Sequence, residues 1–452
     1  MRKPVFSHFS EISGTRGFRA RNASILLLAL ACGSAGVVAT AFAAESPAPA
    51  SIPVTLLERL TLQQAEIIFT EHNRELLSAR RFAEGAEADV LSAAAPPNPE
   101  LTVGTARINP RTGVGSGKLT DKYVDTVIGM SQVFERGNKR GLRTEAAQFN
   151  AAAARNDEND VARQQRLLLQ TAYYDLKLAQ ERFRISNTTA DLFDKSVAAA
   201  EHRLRAGDIA ATELSRIQVD ALRARNDARN AQAERERSQL ALAYLIGAEH
   251  NAARIIAADP WPTGAGRAQT ASADNVLQRR ADIRAAQDRV SAAEKNRDLA
   301  RALRTRDITA GVQYEHFPGD AANNSYGFTV SIPIFARYQY AGEIRRAEVE
   351  LQAAQENLER LRAVALGELR RADSDLAAAE ERVRRLTDVL LPAAEKAANG
   401  AEFAHTRGAI GLMDLLDARR QFYVAQLETI SANADFAKAL AAKRSVAALN
   451  PD

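Results

Sequence analysis

The residues of this chain best placed to do chemistry are carboxylates. Asp414-Leu415-Leu416-Asp417 sets two of them three positions apart, just beyond Gly408, so that on a helix they share one face. Two readings are open. The pair is either an ordinary solvated pair near a helix start, favoured by the positive end of the helix dipole, or part of a charged ring that attracts cations where several copies meet around a pore. Beyond residues 1–43 the histidines His72, His202, His250, His316 and His405 are widely scattered, with no HExxH and no pair at helical ligand spacing, a pattern that fits solvated helix residues better than a metal site. No nucleophile–base set is visible. The sequence therefore points away from an enzyme, and no cofactor is expected.

The elements that carry these residues come in two copies. Asn73-Arg74-Glu75-Leu76 through Gly104 aligns without a gap on Arg280-Ala281-Asp282-Ile283 through Gly311. Ser131-Gln132-Val133-Phe134 matches Ser331-Ile332-Pro333-Ile334, and Arg205-Ala206-Gly207-Asp208-Ile209 matches Thr406-Arg407-Gly408-Ala409-Ile410. Each copy reads helix, two short strands, a very long helix, a Gly turn and a helix back. A duplicated unit of this size is a tandem architecture, not a short solenoid repeat.

Composition agrees with a mainly α-helical fold with a small β part. Alanine and arginine dominate, aromatics are 6%, and no proline falls between Arg111 and Asp259; such chains favour long packed helices. The net charge of +4 arises in residues 1–43, where Arg2, Lys3, Arg16, Arg19 and Arg21 face only Glu11. The rest of the chain is balanced, which argues against nucleic acid as a partner. Residues 1–43 read as a secretory signal peptide: a basic start, an apolar run Ile25–Val38, and Ala41-Phe42-Ala43 as the cleavage site. The single cysteine, Cys32 in Leu30-Ala31-Cys32-Gly33, offers lipidation as a rival. With cleavage after Ala43 the mature chain has neither disulfides nor thiolate metal sites.

The predicted organisation is a signal peptide over 1–43, a linker over 44–60, a first repeat over 61–247, an inter-repeat linker over 248–271 and a second repeat over 272–449. Ser46–Pro53 is a Pro/Ala/Ser stretch of the extended kind. Thr61 and Gln64 form a capping-box pattern for a helix running to Ala95, stopped by Pro96-Pro97-Asn98-Pro99. Lys139–Arg205 is expected as one helix roughly 100 Å long at ~1.5 Å per residue, and its counterpart Tyr340–His405 should bend near Pro392.

Four segments change to a period of two: Leu101–Arg107, Val124–Val133, Ile308–His316 and Tyr326–Ile334. Asn109–Lys122 and Phe317–Ser325 between them read as surface turns. Alternation of this kind fits either a hairpin packed on a soluble core or a membrane barrel with lipid outside and water inside. Two such pairs between very long helices, each about the length that crosses a bilayer, favour the barrel. Four strands cannot close one, because bacterial barrels need at least about eight and open sheet edges do not sit in lipid. Three copies would supply twelve strands above a continuous tube of helices.

At this point the chain resembles the TolC-type outer-membrane efflux proteins, over about Leu60 to Leu449. The resemblance rests on Leu62-Gln63-Gln64-Ala65 with His72-Asn73-Arg74-Glu75-Leu76, on Pro97-Asn98-Pro99-Glu100-Leu101, on Ser331-Ile332-Pro333-Ile334-Phe335 and on the paired Gly turns; their order and duplication carry it. It implies a homotrimer with a 12-stranded outer-membrane β-barrel continuing into a periplasmic α-helical tunnel. It also implies docking to an inner-membrane pump, generally proton-driven, through a periplasmic adaptor. Pro97-Asn98-Pro99-Glu100 followed by Ser131–Gly141 is most similar to the CzcC-type cobalt–zinc–cadmium branch. A metal conduit should not hold its cargo tightly, since conduction requires sites weak enough to leave.

The resemblance also assigns residues. Asp414 and Asp417, six and nine positions beyond the glycine, match the two aspartates that ring the pore entrance. Glu213, six beyond Gly207, matches an acid that latches the closed entrance against a tyrosine three positions before the second turn glycine. Here that place is His405, which would make such a gate latch titratable. The small tips Ala206, Gly207 and Ile209, and Gly408, Ala409 and Ile410, suit contact with an adaptor hairpin, although a plain αα-hairpin turn needs no partner. Two other readings compete: a duct for drugs or secreted polypeptide, and a periplasmic coiled-coil adaptor that never enters the membrane. Duplicated hairpins and few strands disfavour the adaptor.

Overall fold

A computed structural model of the chain describes residues 53–106, 111, 113, 115–118, 124–264, 273–317 and 323–447. The expected signal peptide with Cys32, the stretch Ser46–Ile52, Arg107, most of the first surface turn and the far end of the second repeat lie outside them. The helices are α1 (Val54–Leu57), α2 (Leu62–His72), α3 (Arg74–Ala94), α4 (Lys139–Ala206), α5 (Ala211–Ile246), α6 (Ala273–Arg279), α7 (Ala281–Ala302), α8 (Ala341–Arg385), α9 (Leu391–Thr406) and α10 (Leu412–Val446). The strands are β1 (Glu100–Ala106), β2 (Asp125–Phe134), β3 (Ile308–Phe317) and β4 (Asn323–Ser331). None of the described helices is long and apolar enough to cross a membrane.

The duplication is visible element by element: α3, β1, β2, α4 and α5 recur as α7, β3, β4, α8–α9 and α10. Nothing in α4 breaks the helical ladder, and it runs 68 residues, roughly 100 Å at ~1.5 Å per residue. Its counterpart is interrupted where Pro392 enters. The ladder widens into a π turn over Leu386–Leu390, and Pro392 takes the first turn of α9, where a missing N–H costs least. Both long helices start after a non-glycine residue in the left-handed region, Asn138 at φ 57 and Tyr340 at φ 59. Asparagine tolerates that conformation; Tyr340 is held there among Phe335 and Tyr338, at ring distances of 5.2 and 6.1 Å.

The helix expected from Leu62 to Ala95 is two helices. Thr61 and Gln64 form the capping box as expected, but Asn73 (φ −69, ψ 119) leaves helical geometry. Its Oδ1 accepts the Leu76 N–H at 2.9 Å to cap α3, and its Nδ2 donates to the Leu245 carbonyl at 3.1 Å. A buried asparagine that caps one helix and ties a second outweighs the helical period around it.

Where they are described, the connections expected over 44–60 and 248–271 pack onto the helices. Leu57, Leu60 and Ile255 are fully buried, with Phe69, Leu169, Tyr173, Leu242 and Ile246, in one apolar cluster. Leu60 bridges Ala257 in parallel. The Tyr173 hydroxyl lies 3.0 Å from the Leu60 carbonyl and 3.1 Å from the Asp259 carboxylate, and accepts the Asp259 N–H at 3.1 Å. Burial raises the pKa of that phenol, so it remains a donor. The two connections thus form a belt across α2, α4 and α5. Apolar burial at ~25 cal/mol per Å² holds that belt on the helices.

The strands form one antiparallel meander in the order β1-β2-β3-β4, and among the described residues no further strand pairs with either outer edge. The register places Leu101 opposite Met130, Val103 opposite Ile128, Met130 opposite Val312, Val312 opposite Phe328 and Ala310 opposite Val330. Directly opposed residues share a face, so this face is apolar on all four strands. The other face carries Thr102, Gly104, Gly129, Ser131, Gly311, Gln313, Gly327 and Thr329. Strand β4 lies upstream of the expected Tyr326–Ile334: it starts at Asn323 and stops at Ser331, short of Pro333, which has no N–H for the ladder. The described part of the expected turn Phe317–Ser325 is accordingly strand, with Phe317 opposite Asn323.

One buried ion pair joins the copies where sheet meets helices. Lys139, at the start of α4 and 6% exposed, donates to the Thr305 carbonyl at 2.7 Å and to both Asp307 oxygens at 2.8 Å. Asp307 also accepts the Arg136 N–H at 2.9 Å. Asp307→Ala leaves the ammonium buried without its counter-charge and should cost about 3 kcal/mol, read as a lower thermal midpoint of the purified protein. Replacing the pair together, Lys139→Met with Asp307→Leu, should recover most of the loss; equal melting of the single and double variants would refute this assignment.

Candidate functional site

The two α-hairpins end in matched turns. Gly207 closes α4 at φ 82, with the Gly207 N–H on the Leu204 carbonyl (3.0 Å) and the Asp208 N–H on the Arg203 carbonyl (2.9 Å). Gly408 at φ 74 repeats the pattern, with the Gly408 N–H on His405 and the Ala409 N–H on Ala404, both at 2.9 Å. Only glycine adopts that backbone cheaply at a helix end. Beneath the turns Phe193, Ala200, Ile217, Ala221, Leu412, Leu415 and Leu416 form a buried cluster that joins α4, α5 and α10.

That cluster sets where the carboxylates go. Leu412, Leu415 and Leu416 are buried, which leaves Asp414 and Asp417 exposed on the opposite side of α10. Asp414 Oδ2 accepts the Gly411 N–H at 3.3 Å and caps its own helix. Asp417 Oδ2 accepts from Gln421 at 3.0 Å, and its Oδ1 lies 3.9 Å from the Arg420 guanidinium. Arg420 in turn donates to Asp220 on α5 at 2.8 Å.

The other named tip residues divide. Ala206, Gly207, Gly408 and Ala409 are exposed, whereas Ile209 is half-buried against the tip cluster. Ile410 is half-buried and its carbonyl lies 3.2 Å from His405 Nδ1. Among the described residues no hydrogen bond or ion pair joins Glu213 to His405. The Arg420–Asp220 bridge was not anticipated from sequence. The signal was present: the two residues are 200 apart, close to the spacing of the repeats, and each follows its turn glycine, Gly207 or Gly408, at nearly the same distance along the chain.

At the other end of the molecule the apolar sheet face is open, with Phe328 85% exposed beside Tyr326, Val330, Leu101 and Val103. Tyr314 and Tyr326 meet at a tilt, with ring centres 5.6 Å apart, toward the strand tips, and Phe335, Tyr338 and Tyr340 cluster at the helix end. An apolar band between two aromatic girdles is what a bilayer's hydrocarbon and its two interfaces select.

A small meander with an apolar outer face, carried on long duplicated hairpins, defines a membrane-seated channel protein. The chain belongs to the outer membrane efflux protein family, whose model matches residues 69–248 and 273–447, and these proteins are channels of the outer membrane. It is 24% identical over 375 residues to the cobalt-zinc-cadmium resistance protein CzcC of Cupriavidus metallidurans, covering 81% of this chain and 85% of that one. Its fold is similar to the outer membrane protein VceC of Vibrio cholerae, with a TM-score of 0.69, 20% identity and 85% and 96% of the two chains covered. It is likewise similar to the CmeC outer membrane channel of Campylobacter jejuni, with a TM-score of 0.74, 15% identity and 85% of each chain covered.

The turn geometry yields a test. An added Cβ at Gly408 meets no atom within 4 Å, so Gly408→Ala has only its backbone to strain, at about 1–2 kcal/mol. The variant should be cut faster at the tip by a limiting protease, while Gly408→Asn stays nearer wild type. Equal cleavage of all three would show that the turn does not need the left-handed conformation.

Proposed function

We propose that three copies of this chain close a 12-stranded barrel and a helical tunnel that serves as the passive outer-membrane exit for divalent heavy-metal cations. The observation that carries the reading is the sheet itself: an exposed apolar face on all four strands, with no partner strand on either outer edge among the described residues. Such a sheet is stable in lipid only when every edge is closed. The helices repeat the pattern, since α3 leaves Phe82 and Leu91 exposed at one flank and α8 leaves Val349 and Val364 exposed at the other. A neighbouring copy would cover both. The tips would form the periplasmic entrance, with Asp414 and Asp417 as the pore ring and Ala206, Gly207, Gly408 and Ala409 as the surface met by a periplasmic adaptor fed by an inner-membrane pump. A closing latch between Glu213 and His405 would require His405 to exchange the Ile410 carbonyl for the carboxylate.

Metal cargo is supported by the likeness to the cobalt-zinc-cadmium resistance protein across most of both chains and by the resemblance over Ser131–Gly141. Cross-linking in native membranes should trap a trimer; a soluble periplasmic monomer would overturn the barrel. Deleting the gene should sensitise cells to zinc, cobalt, cadmium or nickel and spare dye and detergent tolerance. The reverse pattern would reassign the duct to drugs.

A further inference from the structure

Arg420, one helical turn beyond Asp417, is held from the other repeat's hairpin. Its guanidinium has two carboxylates within reach: Asp220 on α5 at 2.8 Å, and Asp417 on its own helix at 3.9 Å. The nearer one is the more sheltered, since Asp220 is 12% exposed and Asp417 is 60% exposed. Arg223 approaches Asp220 only at 3.9 Å from the solvent side, and the adjacent Arg419 is occupied with Glu402 at 3.2 Å. A sheltered carboxylate binds a guanidinium more strongly than a solvated one. Asp220 therefore holds Arg420 back from Asp417.

We propose that Arg420, positioned by Asp220, sets the charge of the channel entrance: held on α5, it leaves Asp417 only partly countered, so the aspartate ring keeps its preference for cations. The proposal rests on the reading of Asp414 and Asp417 as a pore ring. Arg420 is a positioning residue here, acting through Asp417. Its partner lies on the other repeat's hairpin, so the relative placement of α5 and α10 controls how much negative charge the entrance shows.

Two neutralisations break the same bridge and have opposite effects on the ring. Arg420→Gln removes the counter-charge and uncovers Asp417. Asp220→Asn releases the guanidinium onto Asp417 and covers it. With full-length protein in planar bilayers under a potassium chloride gradient, Arg420→Gln should raise cation preference and lower the half-blocking Mg²⁺ concentration by roughly two- to five-fold, the scale of one charge about 4 Å away in water. Asp220→Asn should shift both in the other direction, and Arg420→Lys should stay near wild type.

Asp414→Ala with Asp417→Ala, measured alongside, separates the two ideas. If that variant loses block while Arg420→Gln and Asp220→Asn shift it in one direction or not at all, the ring stands and the role of Arg420 is overturned: the bridge is then only a brace between hairpins. If the double variant blocks like wild type, the ring reading fails and takes the proposal with it.

Discussion

The constraint on which the rest of this structure depends is that a peptide group has nowhere to hide in hydrocarbon. Among the described residues the sheet has four strands, and β1 and β4 each present an edge without a partner strand. An unsatisfied backbone group in lipid costs several kcal/mol, and an edge several residues long multiplies that cost well beyond what a folded domain has to spare. A chain with this sheet must therefore complete it with further strands. In a sheet completed in that way the apolar face of all four strands would meet lipid, and the face of small and polar residues would line water.

The helices answer a related problem of length. The strands and the hairpin tips are separated by the span of α4, roughly 100 Å at ~1.5 Å per residue, and no tip loop could be held there without continuous packing. The chain supplies it with small residues: Ala146, Ala151, Ala153, Ala179 and Ala200 are buried along α4, and Ala365 and Ala372 along α8. Alanine keeps helices close and loses no side-chain entropy. The ends are secured differently. The Lys139–Asp307 pair fixes the strand end, the Leu60–Tyr173–Asp259 belt grips the middle, and the leucines of α10 hold the tips together.

Much of this was legible in the sequence, and the reason is physical. Long helices without proline, Gly turns at matched positions and period-two segments are local signals, so the four strands were located to within about three residues and α4 almost to its ends. What escaped depends on contacts between distant segments. Asn73 sits in a helical pattern and breaks it because its side chain reaches Leu245. Leu57 and Leu60 read as linker, and are buried because Ala257 and Tyr173 happen to lie opposite. At the hairpin tips, the spacing of Asp414 and Asp417 was evident, but their pairing state was not. Arg420 follows Asp417 by one helical turn, which suggests a simple i,i+3 pair; only the tertiary placement of Asp220 shows that the arginine is turned elsewhere.

The duplication explains why that tip arrangement is asymmetric. Two copies of one unit would place like residues on matching hairpins, and a ring built from both copies would carry identical charges at every tip. Here the copies have diverged: α5 begins with Glu213 and buries most of Asp220, while α10 begins with Asp414, exposes Asp417 and supplies Arg420. A sheltered acid on one copy now faces a cation on the other, across helices that both line the cluster at their tips. Divergence thus turns two equivalent hairpins into a pair with distinct roles, one holding the charge and the other displaying it. Any motion that separates α5 from α10 must either break the Arg420–Asp220 contact or carry Arg420 away from Asp417, so the spacing of the two hairpins and the charge left on Asp417 are linked.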